Sequence, residues 1–220
     1  MPTYLSAHDL KTIEIHQDDI HVKLRQIDLE NLSDQDTQIL RELSGDYEAI
    51  KTMFGKMIGS VFKTIHWLSP ATVLEAYKEA YRKKKAQMPE NQRIDHHYFV
   101  EDLTSGQFMA NMTITAYVGQ RPEAYKDKLL LEFGLLVHPH YRGQGLLSKL
   151  AFAGLQELTL HAPFLESDFC FSTRTDNVAI HKIAAKLGAE LVDSAPKEVD
   201  FILFKQTIPT DFFILPREKI

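Results

Sequence analysis

The 220-residue chain has one cysteine, Cys170, which excludes an intramolecular disulfide and makes a reducing compartment the expected setting. It lacks any uninterrupted apolar run of the roughly 18 or more residues that a membrane-spanning helix needs. Met1 to Asp9 has neither a basic start nor a long apolar stretch, so no secretory leader is read there and a cytoplasmic location is expected. Low-complexity tracts and internal repeats are missing. So is a concentrated basic face: the net charge is −5, with both signs interspersed, which argues against nucleic acid as the main partner. The single basic run, Arg82-Lys83-Lys84-Lys85, falls near the end of an expected helix and reads as a solvated helix end. Ten histidines are present. Yet His96-His97 and His138-Pro139-His140 have neither the helical spacing nor the further ligands of a zinc site, and no metal is expected.

What is present is an ordinary globular composition, 44% apolar and 25% charged, long enough to bury a proper core. Residues 1–20 are polar and weakly patterned and read as a lead-in. His21 to Ile27 alternates as a short strand. Ile39, Leu43, Tyr47, Ile50, Phe54, Met57 and Val61 recur at helical spacing. Ser33 or Asp34 caps that zone, and Gly45, Gly55 and Gly59 break or bend it. Ser69-Pro70 opens a further helix reaching about Lys85. Beyond Pro89 strands are expected at His97–Glu101, Phe108–Val118, Leu129–Val137, Phe169–Thr173 and Val199–Lys205, with helices over Gly145–Leu160 and Asn177–Leu187. Antiparallel strands followed by strand–helix–strand–helix–strand imply a mixed α/β sheet. Cys170 reads as a core residue, and so do the aromatics Trp67, Phe62 and Tyr77, whose alternative use is to line an acceptor pocket. The tail Asp211-Phe212-Phe213-Ile214-Leu215-Pro216 is too apolar to stand in water, so it is expected to pack on the domain or on a second subunit in a homodimer.

The segment Leu131-Glu132-Phe133-Gly134-Leu135-Leu136-Val137-His138-Pro139-His140-Tyr141-Arg142-Gly143-Gln144-Gly145-Leu146-Leu147 carries the chemistry. A buried strand ends in a proline turn, and a glycine-rich loop opens into an amphipathic helix. Unpaired N–H groups at that helix start, with the positive end of the helix dipole behind them, suit a phosphate or pyrophosphate. Gly143 and Gly145 carry no side chain to block the approach, and Arg142 adds charge at the rim. The alternative is a glycine-opened helix that merely makes a turn. Two nucleotide loops fit less well. Ser148-Lys149 has the wrong order for an NTPase phosphate loop, and a dinucleotide fingerprint needs a third glycine where Ser148 stands.

Val137-x-Pro139-x-Tyr141-Arg142-Gly143-Gln144-Gly145 resembles the acetyl-CoA-binding motif of the GNAT superfamily, whose core is Arg/Gln-x-x-Gly-x-Gly/Ala; Leu147 stands at its last position. Asn177 followed by Lys186-Leu187-Gly188 resembles that superfamily's second block, with Ala189 in place of an aromatic. Leu24-Arg25, Trp67-Leu68-Ser69-Pro70, Thr104-Ser105-Gly106 and above all Glu132-Phe133-Gly134 resemble the RimJ/RimL-type branch of ribosomal-protein N-terminal acetyltransferases.

The resemblance implies a GNAT fold, a mixed and mostly antiparallel α/β sheet flanked by helices and splayed at the acyl-CoA site. It spans residues 21–207 as one domain, with 208–220 as the tail. It implies acetyl-CoA as acyl donor, pantetheine along the backbone of Leu135, Leu136 and Val137, and pyrophosphate on Arg142, Gly143, Gln144, Gly145, Leu146 and Leu147, with Asn177 also contributing. Gly134 would mark a strand bulge that opens the sheet. The acceptor would be an amine, on a protein N-terminus or a small molecule, with Glu132 as general base. Relatives carry a proton donor where this chain has Ala184 or Ile180, leaving His181, Ser172 and Thr173 as substitutes. The alternative is a CoA-binding sensor or interaction module with little turnover.

Overall fold

The computed structural model describes residues 11–44, 46, 70–88, 94–119, 122–161, 164–201 and 204–220. Tyr47, Ile50, Phe54, Met57, Val61, Trp67 and the glycines at 45, 55 and 59 lie outside that set, so the expectations placed on them fall outside the described residues.

Eight strands form one sheet: β1 (Thr12–Gln17), β2 (Ile20–Ile27), β3 (Asp95–Asp102), β4 (Phe108–Ala116), β5 (Leu130–Val137), β6 (Asp168–Arg174), β7 (Glu190–Phe201) and β8 (Phe204–Leu215). Their order is β1-β2-β3-β4-β5-β6-β8-β7. Every neighbouring pair is antiparallel except β5 with β6, which are parallel. Four helices are described: α1 (Asp34–Ser44), α2 (Pro70–Gln87), α3 (Leu146–Leu158) and α4 (Val178–Leu187).

Two apolar layers cover the two faces. On one face Leu40 and Leu43 of α1 and Leu74 of α2 pack on Ile27 and Phe99. On the other, Leu150, Ala151, Leu155 and Leu158 of α3 bury Met112, Ile114 and Leu131, with Ala184 and Leu187 of α4 in the same core. Asp34 and Asp36 occupy the first turn of α1, where the helix dipole favours carboxylates, and Ser33 Oγ accepts from Asp36 N at 3.1 Å as the N-cap.

Adjacent strand residues point to opposite faces, which separates the two histidines of β3. His97 lies at 3.0 Å from Asp95 Oδ1. His96 faces the α3 side, edge-on to Phe164 and 2.9 Å from Gln26 Nε2. Burial holds the His96 ring below its usual 6.5. A depressed folded value means that the unfolded chain binds the proton better below pH 6.5. Stability is therefore complete above 6.5 and falls as the pH drops toward the depressed value. Urea midpoints taken on either side of pH 6.5 should show that loss, and a His96→Gln variant should flatten it.

Three expectations are corrected. Residues 12–17 of the lead-in form β1, paired with β2 from Thr12↔Arg25 to Gln17↔Ile20. The tail, expected as a separate segment packed on the domain or on a second subunit, is part of the sheet itself: β8 is inserted between β6 and β7 and pairs with both, from Phe169↔Leu215 and from Glu190↔Ile214. Its unbroken apolar run arises because Phe212 stacks on Tyr117 while Phe213 stacks on Phe171, so both faces of the strand are covered. The late strand read at Val199–Lys205 is the tip of the β7–β8 hairpin, where Phe201 pairs with Phe204.

Candidate active site

The parallel β5–β6 ladder is three rungs long: Leu130↔Asp168, Leu131↔Phe169 and Glu132↔Cys170. Past Glu132 the strands part, while β5 stays in register with β4 as far as Ala110↔Val137. The result is a slot between the C-terminal halves of β5 and β6. Leu130 O accepts from Tyr117 N, and His138 N donates to Met109 O, so even-numbered residues of β5 turn their backbone groups toward β4. Odd-numbered residues turn theirs toward the slot. The Phe133 N–H closes the last rung on Cys170, so the Phe133 C=O and both backbone groups of Leu135 face the slot. Leu136 does not, which corrects the role expected of its backbone. Val137 faces the slot, but its carbonyl accepts from Arg142 Nε at 2.9 Å.

Gly134 is in register with Thr113, and no bulge interrupts the pair. Its bare backbone meets a different need: a Cβ there would sit 2.8 Å from Thr113 Oγ1. The slot opens because β6 diverges, not because β5 is kinked.

The slot leads to the start of α3. Gly145, the N-cap, has φ 72°, and Gly143 has φ 76°, left-handed values that cost other residues about 1–2 kcal/mol. Open space surrounds both glycines on the side a Cβ would take. No side chain caps the helix, so its first N–H groups stay available for an anion. Leu146 and Leu147 turn their side chains onto the core and leave only backbone at the rim. Gln144 Nε2 donates to His140 O at 3.1 Å. Arg142, expected as rim charge, is instead a strut: besides the Val137 carbonyl it holds the Asp46 carboxylate, just past α1. Its charge is answered within the protein, because the loop folds back over the end of α1. Gly145→Asp should weaken any binding of an anion at this helix start, since it adds a carboxylate where the anion would sit; melting temperatures taken with and without inorganic pyrophosphate check it. The unliganded protein should melt only a few degrees lower, consistent with the ~1–2 kcal/mol of left-handed strain.

Glu132 projects to the face covered by α2. Lys84 Nζ lies 2.5 Å from its Oε2 and 2.7 Å from Thr115 Oγ1, with Glu132 and Lys84 each about one quarter exposed (25% and 24%). Alongside, Tyr81 shares hydrogen bonds with Tyr77 and Thr113, and its ring meets His97 edge-on at 4.4 Å. Burial raises the Tyr81 hydroxyl above its ordinary value and raises that of Tyr77 further, so both stay protonated. Lys84, Thr115, Tyr81 and Asp46 went unrecognised in the sequence. For Lys84 a signal existed: Tyr77, Tyr81 and Lys84 stand at i, i+4 and i+7, one face of a helix. The basic run is not simply solvated either, since Arg82 pairs with Glu30, Lys83 with Glu79 and Lys85 with Asp95.

At the start of α4, Asn177 Oδ1 accepts from Ile180 N and its Nδ2 donates to Thr173 Oγ1. Both ends of the side chain thus serve the helix cap. Ile180 packs against the core and Ala184 is buried, and neither can donate a proton. His181 Nε2 sits 3.1 Å from Asp211 Oδ2 on β8 and edge-on to Phe213. That places it behind β6, away from the slot.

Neither the sequence of any curated protein nor any family model matches this chain. Solved structures do. A spermidine N-acetyltransferase from Vibrio cholerae, in complex with CoA and spermine, superposes with a TM-score of 0.55 at 13% identity, over 88% of this chain and 95% of that one. An acetyltransferase of the GNAT family from Bacillus anthracis gives 0.56 at 10%, over 94% and 99%. RimL, a ribosomal alpha-N-protein acetyltransferase in complex with coenzyme A, gives 0.56 at 11%, over 91% and 97%. The chain has the GNAT fold. Within the GNAT fold of this chain, the splayed β5–β6 slot and the uncapped start of α3 adjoin Glu132. These are groups able to hold an extended amide-bearing arm, an anion and a reacting amine.

Proposed function

We propose that the chain is an N-acyltransferase that moves an acetyl group from acetyl-CoA to an amine. One observation carries the reading: the β5–β6 ladder stops at Glu132, so free strand backbone, an uncapped helix start and a carboxylate meet at one slot. The structural neighbours are named for a polyamine and for a protein alpha-amine, and both acceptors are amines.

Bound acetyl-CoA supplies an activated thioester carbonyl and a thiolate leaving group. The Phe133 C=O and the backbone of Leu135 would pair with the amides of its arm, and the N–H groups from Gly143 to Leu147 would hold its pyrophosphate. An acceptor amine, with a reference pKa of about 7.7–8 for an α-amine or about 10.4 for a lysine-like one, must shed a proton before it attacks. Glu132 is the carboxylate placed to take it. Oε2 is engaged by Lys84, and Oε1 has no partner among the described residues. The thiolate departs without a donor from Ile180 or Ala184.

That missing donor favours a second reading, a CoA-binding module with little turnover. Thiol release from acetyl-CoA, with a panel of peptides and small amines, separates the two. Acceptor-dependent release supports the transferase. No release together with a retained thermal shift supports the module. Loss of both would remove CoA from either account.

A further inference from the structure

Lys84 Nζ stands on the carboxylate proposed above to take the proton of an acceptor amine. It touches Glu132 Oε2 at 2.5 Å and Thr115 Oγ1 at 2.7 Å, on the last rung before the slot opens. Helix α2 delivers it there firmly, because Leu74 is buried and Tyr77 and Tyr81 pack on the same core. Its neighbours are directed elsewhere: Lys83 to Glu79 and Lys85 to Asp95. We infer that Lys84 is an internal acceptor, a self-acetylation site served by Glu132. The inference rests on the transferase reading above.

The step balances with acetyl-CoA as the sole co-reactant. The Lys84 ammonium first gives one proton to solvent by way of Glu132; the neutral Nζ then bonds to the acetyl carbonyl carbon, and the C–S bond breaks with its electron pair remaining on sulfur. The proton lost from nitrogen passes to Glu132 and on to the thiolate or solvent. The products are N-acetyl-Lys84 and CoA. The amide has no charge, so Glu132 and Thr115 lose their cation, and Glu132 Oε2 is freed for an external amine.

Exposure provides a test that turnover alone would not. Side-chain exposure is 72% for Lys83 and 57% for Lys85 but 24% for Lys84. Acetic anhydride needs no help from the protein and should mark Lys83 and Lys85 ahead of Lys84. Acetyl-CoA should reverse that order. General-base help is typically worth 10²–10⁴-fold, so Lys84 should lead by about a hundredfold.

The experiment is peptide mapping by mass spectrometry of the full chain treated with each reagent, with no amine added and at several dilutions. The expected result is one acetyl group on Lys84 from acetyl-CoA, at a rate independent of protein concentration, with the reversal lost in a still-folded Glu132→Gln variant. The same lysine order with both reagents would overturn the inference, as would a rate that falls on dilution. An unmodified Lys84 beside normal amine-dependent thiol release would overturn it and leave the transferase reading standing. An unmodified Lys84 with neither thiol release nor a thermal shift would overturn both.

Discussion

Glu132→Gln is expected to lower turnover with any amine acceptor by about a hundredfold or more, with little change in melting temperature. Positioned general-base transfer contributes typically 10²–10⁴-fold, and the amide keeps the size of the carboxylate but takes no proton at neutral pH. Lys84 loses its ionic partner, yet a pair one quarter exposed on each side (25% and 24%) is worth on the order of 1 kcal/mol at most. Retention of Thr115 Oγ1 as an acceptor for Lys84 limits the loss further. Acetyl-CoA binding should also survive, because the backbone groups of Glu132 face β4 and the Phe133 and Leu135 groups that face the slot are untouched. The expected signature is a fall in kcat with the thermal shift preserved. Undiminished turnover would remove Glu132 from proton transfer while leaving the role proposed for the slot untouched.

Arg25→Met should destabilise the fold by about 1–2 kcal/mol, above the worth of an exposed pair and below the cost of breaking a fully buried one, because the Arg25 side chain is 31% exposed and that of Asp36 12%. The Arg25 guanidinium lies over the Phe99 ring at 5.2 Å. It donates to Asp36 Oδ1 and to Glu101 Oε1, each at 2.7 Å. Methionine would keep the contact with Phe99 and strand the carboxylates. Lys23, 2.8 Å from Glu101 Oε2, still answers Glu101, so Asp36 bears the loss.

Asp36 also sets the pH dependence. The hydrogen bond from Arg25 is the largest influence on its carboxyl and holds it below the ordinary 3.8. A carboxyl depressed in the folded state stabilises fully above 3.8, and that contribution disappears as the pH falls through the folded value. The gap between wild type and variant in urea unfolding should therefore be widest near neutrality and narrow in acid. A gap that stays constant down to pH 3 would show that lost packing, not the ion pair, sets the cost. The effect should reach the slot as well, because α1 runs from Asp36 toward Asp46, which holds Arg142 at the anion loop.

Much of the site could be read along the chain because its parts are local. The alternation and density of apolar residues marked β5, observed at Leu130–Val137. Gly143 and Gly145 announced a turn into α3, and both adopt positive φ. Asn177 and Gly188 bracket α4 as N-cap and left-handed C-cap. Pro70 opens α2. In each case a short stretch of backbone needs a particular residue, and the need shows in the residue itself.

Partner choice across the fold could not be read that way. Glu132 and Lys84 are 48 positions apart, and Arg142 and Asp46 are 96 apart. Nothing in either local pattern states that they meet. The basic run around Lys84 suggested solvent because a helix end usually has it, yet packing of α2 on the sheet turned Lys84 onto Glu132 and Lys85 onto Asp95. The apolar tail suggested packing on the domain or on a second subunit, because a run buried on both faces looks the same whether it covers a surface or lies within a sheet. Only the pairing of β8 with β6 and β7 distinguishes them.

The sequence by itself marked β2 to β6, the starts of α1 to α4, the glycine turn into α3 and the position of Glu132 on β5, since periodicity, caps and turns act over a few residues. The tertiary structure alone decided that the slot opens by divergence of β6, that Arg142 is neutralised and that Lys84 rests on Glu132. Those outcomes depend on which distant segments share a face, and that follows from burying both sides of one sheet at once.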